Sequence, residues 1–368
     1  MAAYWGQNSY GQASGNLTQQ RLSYYCASML TYPNRSYSPG AQIIPLAFMT
    51  AISDSTGHPQ LNFANQGDKC TTFDGTQLLN CPELATDIPL CQTQYNKTIL
   101  LSIGGATYTE GGFANATAAT TAADRIWSMF GPPPANTTNL TTPTTTSTTT
   151  APVLRPFGAA QLDGFDFDFE SPVTNISPFA QRLRTLMSAA SATDNRTRLL
   201  TAAPQCPFPD AADDAFLSGP DAVAIDAVFV QFYNNYCGVQ AFVPNATDQW
   251  NFNYGAWDTW ARTAALNKGE VRVFVGVPAG PGAAGSGYLA PEGLEPVLEY
   301  VGSGFGETFG GVMVWDASQA QANAGFLAGV KKELVEIEEG SEAEEEEGGS
   351  CGGYGDDDRT RRGVEFRA

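Results

Sequence analysis

The run Asp163-Gly164-Phe165-Asp166-Phe167-Asp168-Phe169-Glu170 constrains this chain more than any other stretch. Side chains of a strand alternate between its two faces. Read as a strand, the run puts Asp166, Asp168 and Glu170 on one face and Phe165, Phe167 and Phe169 on the other. In a closed barrel the phenylalanines pack against surrounding helices. The acids then point inward and climb toward the C-terminal mouth, where barrel active sites sit. Burying three carboxylates side by side is costly, because like charge and low dielectric both disfavour ionisation. The expected result is a cluster that shares protons, with at least one carboxyl held neutral above its usual range. Glu170, outermost, suits a general acid. Asp168 can orient a reacting group, and Asp166 can hold Asp168 in place. A calcium loop needs Asn, Gly and turn residues between its acids, whereas the spacers here are Phe.

Seven further short apolar runs read as buried parallel strands. They are Ala3–Trp5, Ile43–Phe48, Thr98–Ile103, Arg198–Ala203, Ala227–Phe232, Val271–Val277 and Gly311–Trp315, and with Gly164–Phe169 they make eight. Helix-length segments lie between most of them, among them Leu17–Ser28, Thr120–Met129, Pro178–Ala190 and Gly293–Val301. Eight strands alternating with helices predict a single (β/α)8 TIM barrel over residues 1–335. An open doubly wound sheet is the runner-up. Against it, no strand leads into a Gly-x-Gly-x-x-Gly turn, and the acids lie on a middle strand. Two segments break the rhythm. Residues 132–152 are almost wholly Thr, Pro, Ser and Asn and read as a low-complexity, O-glycosylated insertion ahead of the fourth strand, leaving from the barrel bottom. Residues 336–368 are rich in Glu, Asp and Gly and read as a disordered tail.

The formal net charge is −19. From Glu333 onward thirteen acids face four bases, a net of −9, so the tail carries about half of the imbalance. Such a balance argues against nucleic acid as a partner. No apolar run is long enough for a membrane span, and a monomer is expected. No cofactor is called for, and no His/Cys cluster has metal-ligand spacing. Ser102 as a nucleophile needs the sole histidine, His58, to fold back to it. Nine Asn-x-Ser/Thr sequons, at Asn16, Asn34, Asn96, Asn115, Asn136, Asn139, Asn175, Asn195 and Asn245, point to a secreted, extracellular or cell-wall protein. Seven cysteines agree with an oxidising compartment. Met1-Ala2-Ala3-Tyr4 carries no signal-peptide pattern, so Met1 reads as a start placed on a mature sequence or as a gene reading without its first exon. Residues 336–368 include no apolar tail, so no GPI anchor signal is expected in the chain as it stands.

Asp-Gly-x-Asp-x-Asp-x-Glu resembles the signature of the family 18 glycoside hydrolases, and of their plant-type (class III) chitinases, including fungal ones, in particular. The resemblance spans about residues 3 to 335. It is carried also by Tyr4-Trp5-Gly6-Gln7-Asn8, Leu101-Ser102-Ile103-Gly104-Gly105, Thr201-Ala202-Ala203-Pro204-Gln205-Cys206-Pro207, Gln231-Phe232-Tyr233-Asn234-Asn235, Ala284-Gly285-Ser286-Gly287-Tyr288 and Gly311-Val312-Met313-Val314-Trp315. It implies an endo-acting chitinase whose substrate, chitin or chitooligosaccharides, supplies its own acetamido nucleophile, an exception to the two-carboxylate scheme. It implies Glu170 as proton donor, Asp168 as partner of the acetamido nitrogen, and Tyr233 as the hydroxyl that holds the acetamido oxygen. Gln231 and Asn234 would line that pocket, Trp315 would floor it, and Tyr4, Gln7 and Phe48 would neighbour it. Gly104 and Gly105 would let the polymer approach the backbone. The resemblance further implies the bridges Cys26–Cys91, Cys70–Cys81 and Cys206–Cys237, leaving Cys351 over. A silent carbohydrate-binding or inhibitor barrel, and an endo-β-N-acetylglucosaminidase acting on N-glycans, are the competing readings.

Overall fold

The computed structural model describes residues 1–28, 42–133 and 153–348, with side chains to residue 340. The sequons at Asn34, Asn136 and Asn139, Cys351, and nearly all of the Thr-rich insertion lie outside the described residues.

Eight parallel strands form the barrel: Ala2–Ala3, Ile43–Ala51, Thr98–Gly104, Gly164–Asp168, Leu199–Ala202, Ala227–Gln231, Arg272–Pro278 and Phe309–Trp315. We number them one to eight in that order. Each pairs with its neighbours, and the first pairs with both the eighth, Ala2 opposite Met313, and the second, Ala2 opposite Ile43, which closes the ring. The anticipated runs match these strands to within a few residues.

Helices α1 (Leu22–Ser28), α2 (Pro82–Gln94), α3 (Ala116–Phe130), α4 (Ile176–Asp194), α5 (Asp214–Leu217), α6 (Tyr254–Thr263), α7 (Pro291–Phe305), α8 (Ala317–Ala322) and α9 (Phe326–Gly348) surround the ring. The sequence reading lacked α2 and α6, and it treated residues 336 onward as disordered. Instead α9 runs without a break to Gly348. Glu and Ala are good helix formers, and Lys332 pairs with Glu336 one turn on. That is why the first part of the acidic stretch continues the helix.

The period-two pattern divides the core in two. Phe165, Phe167 and Phe169 are buried in the mantle between strands and helices. Phe167 meets Phe179 of α4 and Phe216 of α5. Each such side chain stabilises the fold by roughly 1.5–3 kcal/mol. A smaller cluster fills the inside of the ring: Ala2, Tyr4, Leu100, Leu199, Phe229, Phe274 and Met313, with Ala47 and Phe48. Register shifts between Ala47 and Met49 against the third strand. Such a bulge re-aims a side chain, and Phe48 thereby joins Ala47 on the inner face.

The three implied disulfides form. Cys26–Cys91 joins α1 to α2, Cys70–Cys81 closes a short loop, and Cys206–Cys237 ties the loops after the fifth and sixth strands. The first residue of the acidic motif, Asp163, is a latch at the barrel bottom. Its carboxylate accepts from the Ile99 amide (2.9 Å), Gln92 Nε2 (2.7 Å) and Arg196 Nη2 (2.6 Å). Among the described residues no helix is long and apolar enough to cross a membrane.

Candidate active site

Asp166 lies inside the ring with no solvent exposure. Its Oδ2 accepts from Tyr4 Oη (2.7 Å) and Ser102 Oγ (2.6 Å), and its Oδ1 accepts from Thr201 Oγ1 (2.6 Å). The third, fourth and fifth strands and Tyr4, just past the end of the first, meet at this one carboxylate. Burial raises its proton affinity, and the three hydroxyl donors oppose that rise. Ser102 is therefore committed to an aspartate and not to His58, whose own amide donates to Asp54 Oδ1 at 3.0 Å in the loop after the second strand. No Ser-His pair forms.

Two residues nearer the mouth, Asp168 is also buried. Its Oδ1 accepts from Gln231 Nε2 at 2.9 Å, and the same amide nitrogen donates to Ala203 O at 2.9 Å. Burial holds the Asp168 carboxyl well above the usual carboxylate range. The neighbouring charges that push it further, Asp166, Glu170 and Asp210, are all negative. Asp168 therefore retains a proton over the ordinary carboxylate range, and Asp166, with its three donors, is the better-supported anion.

Glu170 follows the end of the fourth strand and stands exposed at the mouth. Partial desolvation raises its carboxyl above the ordinary value. Tyr233 is buried at the end of the sixth strand, its phenol pushed well up by burial and by Asp168, Glu170 and Asp316. Asn234, with φ of 55°, turns the chain back. Its Oδ1 accepts from the Gly285 amide (2.7 Å) and the Ser286 amide (3.2 Å), so it grips the loop after the seventh strand.

Trp315 ends the eighth strand and is half-buried. Its ring stacks on Phe48 at 5.8 Å and tilts against Tyr4 at 5.6 Å. The next residue, Asp316, is wholly buried and caps α8. Its carboxylate accepts from the Gln319 amide (3.0 Å), Ser318 Oγ (2.7 Å) and the Ser9 amide (3.2 Å), which clamps the loop after the first strand to the end of the eighth.

The sequence-derived site residues thus separate by depth. Glu170, Gln231, Asn234 and Trp315 are at least partly accessible, while Asp166, Asp168, Tyr4, Tyr233 and Phe48 are buried. Tyr4 spends its hydroxyl on Asp166, so it belongs beneath the pit. Phe48 supports the Trp315 ring from behind. Gln7 Nε2 donates to Ala47 O (2.8 Å) and Asn62 O (3.0 Å) and ties the first two loops together. Gly104 and Gly105 both hold positive φ, 129° and 80°. A Cβ on Gly104 would sit 2.0 Å from Asp168 O, and one on Gly105 would meet the Phe48 ring at 2.8 Å. The space that a side chain would take at either position is filled by the protein's own atoms.

Sequence reasoning missed the roles of five residues. Thr201 and Ser102 as partners of Asp166 were visible only as small polar residues on inward strand positions. Asp316 was visible as an Asp three residues before Gln319, an N-cap pattern. Asp210 and Asp213, both buried in the loop after the fifth strand, had no such pattern.

One accessible carboxyl, raised by partial burial, thus stands near a second that is raised by burial and by the negative Asp166, Glu170 and Asp210. The family model of the glycosyl hydrolases family 18 matches residues 2–285. A class III chitinase of Arthroderma benhamiae is 47% identical over 292 residues, 79% of this chain and 82% of that protein. Endochitinase 33 of Trichoderma harzianum is 43% identical over 327 residues, 89% of this chain and 88% of that protein. Among solved structures, the xylanase-alpha-amylase inhibitor protein XAIP-I matches with a TM-score of 0.61 at 26% identity, over 89% of this chain and 96% of that one. With the family model covering most of the barrel and two fungal chitinases at 47% and 43% identity matching about four fifths or more of both chains, this chain belongs to the glycosyl hydrolases family 18.

Proposed function

We propose that this chain is an endo-acting chitinase. It hydrolyses β-1,4 linkages between N-acetylglucosamine units with retention, the substrate's 2-acetamido group serving as nucleophile. Glu170 gives its proton to the glycosidic oxygen as the C1–O bond breaks. The acetamido carbonyl oxygen bonds to C1, and the positive charge of the oxazolinium ring faces the Asp166–Asp168 pair. Water then opens the ring and returns a proton to Glu170. Tyr233 holds the acetamido oxygen, Asp168 its nitrogen, and Trp315 lies under the ring, whose CH face packs well on an indole.

The observation that carries this reading is the buried Asp166–Asp168 pair beside Glu170, whose surrounding charges are all negative. Such a site favours a developing cation, and partial burial raises the proton affinity of Glu170. The short passage from Pro278 to Pro291 leaves no added domain between the seventh strand and α7, which suits an open groove and cutting within a chain. The likeness to an inhibitor protein keeps a silent barrel as the second reading.

Glu170→Gln is the test. Turnover of chitohexaose should fall by about 10²–10⁴-fold, the loss expected of a general acid, while binding of the oligosaccharide persists. A variant with near-normal turnover overturns the proposal. Failure of the folded native protein to release product at acidic pH favours the silent barrel, and activity confined to N-glycoproteins favours an endo-β-N-acetylglucosaminidase.

A further inference from the structure

Asp210, in the loop after the fifth strand, is a buried acid that the reaction outlined above does not use. Its two oxygens have separate partners. Oδ1 accepts from the Ala212 amide (2.7 Å) and the Asp213 amide (3.1 Å), which closes a turn within the loop. Oδ2 reaches back and accepts from the Gln205 amide at 2.8 Å. All three partners are backbone N–H groups, which favour the ionised carboxylate against the cost of burial.

The far end of that tie leads to the acid pair. Gln205 pairs with Gln231 in a parallel bridge. The Gln231 amide donates to Pro204 O at 2.8 Å, and the Cys206 amide donates to Gln231 O at 3.3 Å. The residues on either side of Gln205 thus make the bonds to the sixth strand, and the amide of Gln205 itself faces the other way. Asp210 takes it up there. On the opposite side of the bridge, Gln231 Nε2 donates to Ala203 O and to Asp168 Oδ1, both at 2.9 Å. One line of contacts therefore runs from Asp210 through Gln205 and Gln231 to Asp168. A small shift at one end moves the donor at the other, and reacting groups tolerate little misplacement.

We propose that Asp210 is a positioning residue for the hydrolytic reaction: it fixes the Pro204–Cys206 segment on the end of the sixth strand and so aims Gln231 at Asp168. The proposal rests on the hydrolase reading above. Asp210 acts through its two glutamine neighbours and not on the sugar.

A double-mutant cycle on chitohexaose turnover tests it. Asp210→Asn separates the two tasks of the side chain. An asparagine keeps one oxygen for the Ala212 and Asp213 amides but turns its NH2 toward the Gln205 amide, where two donors meet. The turn survives and the tie is lost. Asp210→Asn should lower kcat about tenfold and change KM by less than about twofold. Gln231→Leu removes the donor to Asp168 and lowers kcat by itself. In that background Asp210→Asn should change kcat by less than about twofold, because residues acting along one line are not additive. Native kcat in Asp210→Asn overturns the proposal. Equal loss in both backgrounds also overturns it, because the effect then bypasses Gln231. An Asp210→Asn protein that does not fold overturns it too, since Asp210 then serves the fold alone. A native protein inert on chitohexaose overturns the hydrolase reading and this proposal with it, whereas an active native protein whose kcat ignores Asp210→Asn overturns this proposal alone.

Discussion

Three hydroxyls, Tyr4 Oη, Ser102 Oγ and Thr201 Oγ1, converge on Asp166 and set what that aspartate can be. Each donation stabilises the ionised form, so the loss of one hydroxyl matters most where Asp166 is ionised. Ser102→Ala should lower the unfolding free energy by about 1–3 kcal/mol at neutral pH and by less at pH 4, as read from urea midpoints at both. A loss that is larger at pH 4 contradicts the assignment of Asp166 as the anion. The inward set Asp166, Asp168 and the outward set Phe165, Phe167, Phe169 were legible from alternation alone, because period two is a property of every strand. The depth of Tyr4 and Phe48 was not. It depends on a hydrogen bond spanning 162 positions and on a register shift in the second strand, neither of which leaves a local mark.

Among the elements, α8 is only six residues long, yet its cap joins three parts of the mouth. Asp316→Ala removes the acceptor for the Ser9 and Gln319 amides and for Ser318 Oγ. It should cost about 1–3 kcal/mol of stability. It should also raise KM for chitooligosaccharides more than it lowers kcat, because the Trp315 floor loses its anchor while Glu170 and Asp168 are untouched. Asp316→Asn keeps an oxygen at the cap and should recover most of both. Equal kcat loss in the two variants would argue against an anchoring role. Helices with a clear apolar face, such as α3 and α7, were predictable. α2 carries Pro82 at its start and Pro89 within, and α6 is a ten-residue segment with Trp257, Trp260 and Tyr254 buried. Proline and bulky aromatics weaken the local helix signal, so tertiary packing decides these two.

Across the whole molecule, the buried acids make stability depend on pH in an unusual direction. Asp163, Asp166, Asp168, Asp210 and Asp213 all bind protons more tightly when folded than an ordinary carboxylate does, burial being the first cause in each. The folded state then holds more protons than the unfolded one, so stability is greatest at low pH and declines as pH rises through the raised values. Asp194, lowered to about 2, acts in the opposite sense, but it is an exposed group paired with Arg198 and its share is small. Urea midpoints should fall from pH 4.5 to about pH 6, above which the buried Met1 amine, lowered to about 6, acts in the opposite sense, and Asp168→Asn should flatten that slope. A midpoint that rises over this interval overturns the account. The ring itself was readable from its eight apolar runs, but its closure carries a consequence that follows from where the clasp lies. The stave that completes the hoop is the first made and the shortest, Ala2–Ala3, and it needs Met313 and Val314 on its far side. During synthesis that stave can pair early with Ile43, while its other edge waits for some three hundred residues to emerge. Until then the pit that Tyr4 and Asp166 share stays open along one side, and the nascent chain keeps an unsealed seam that other strands could occupy.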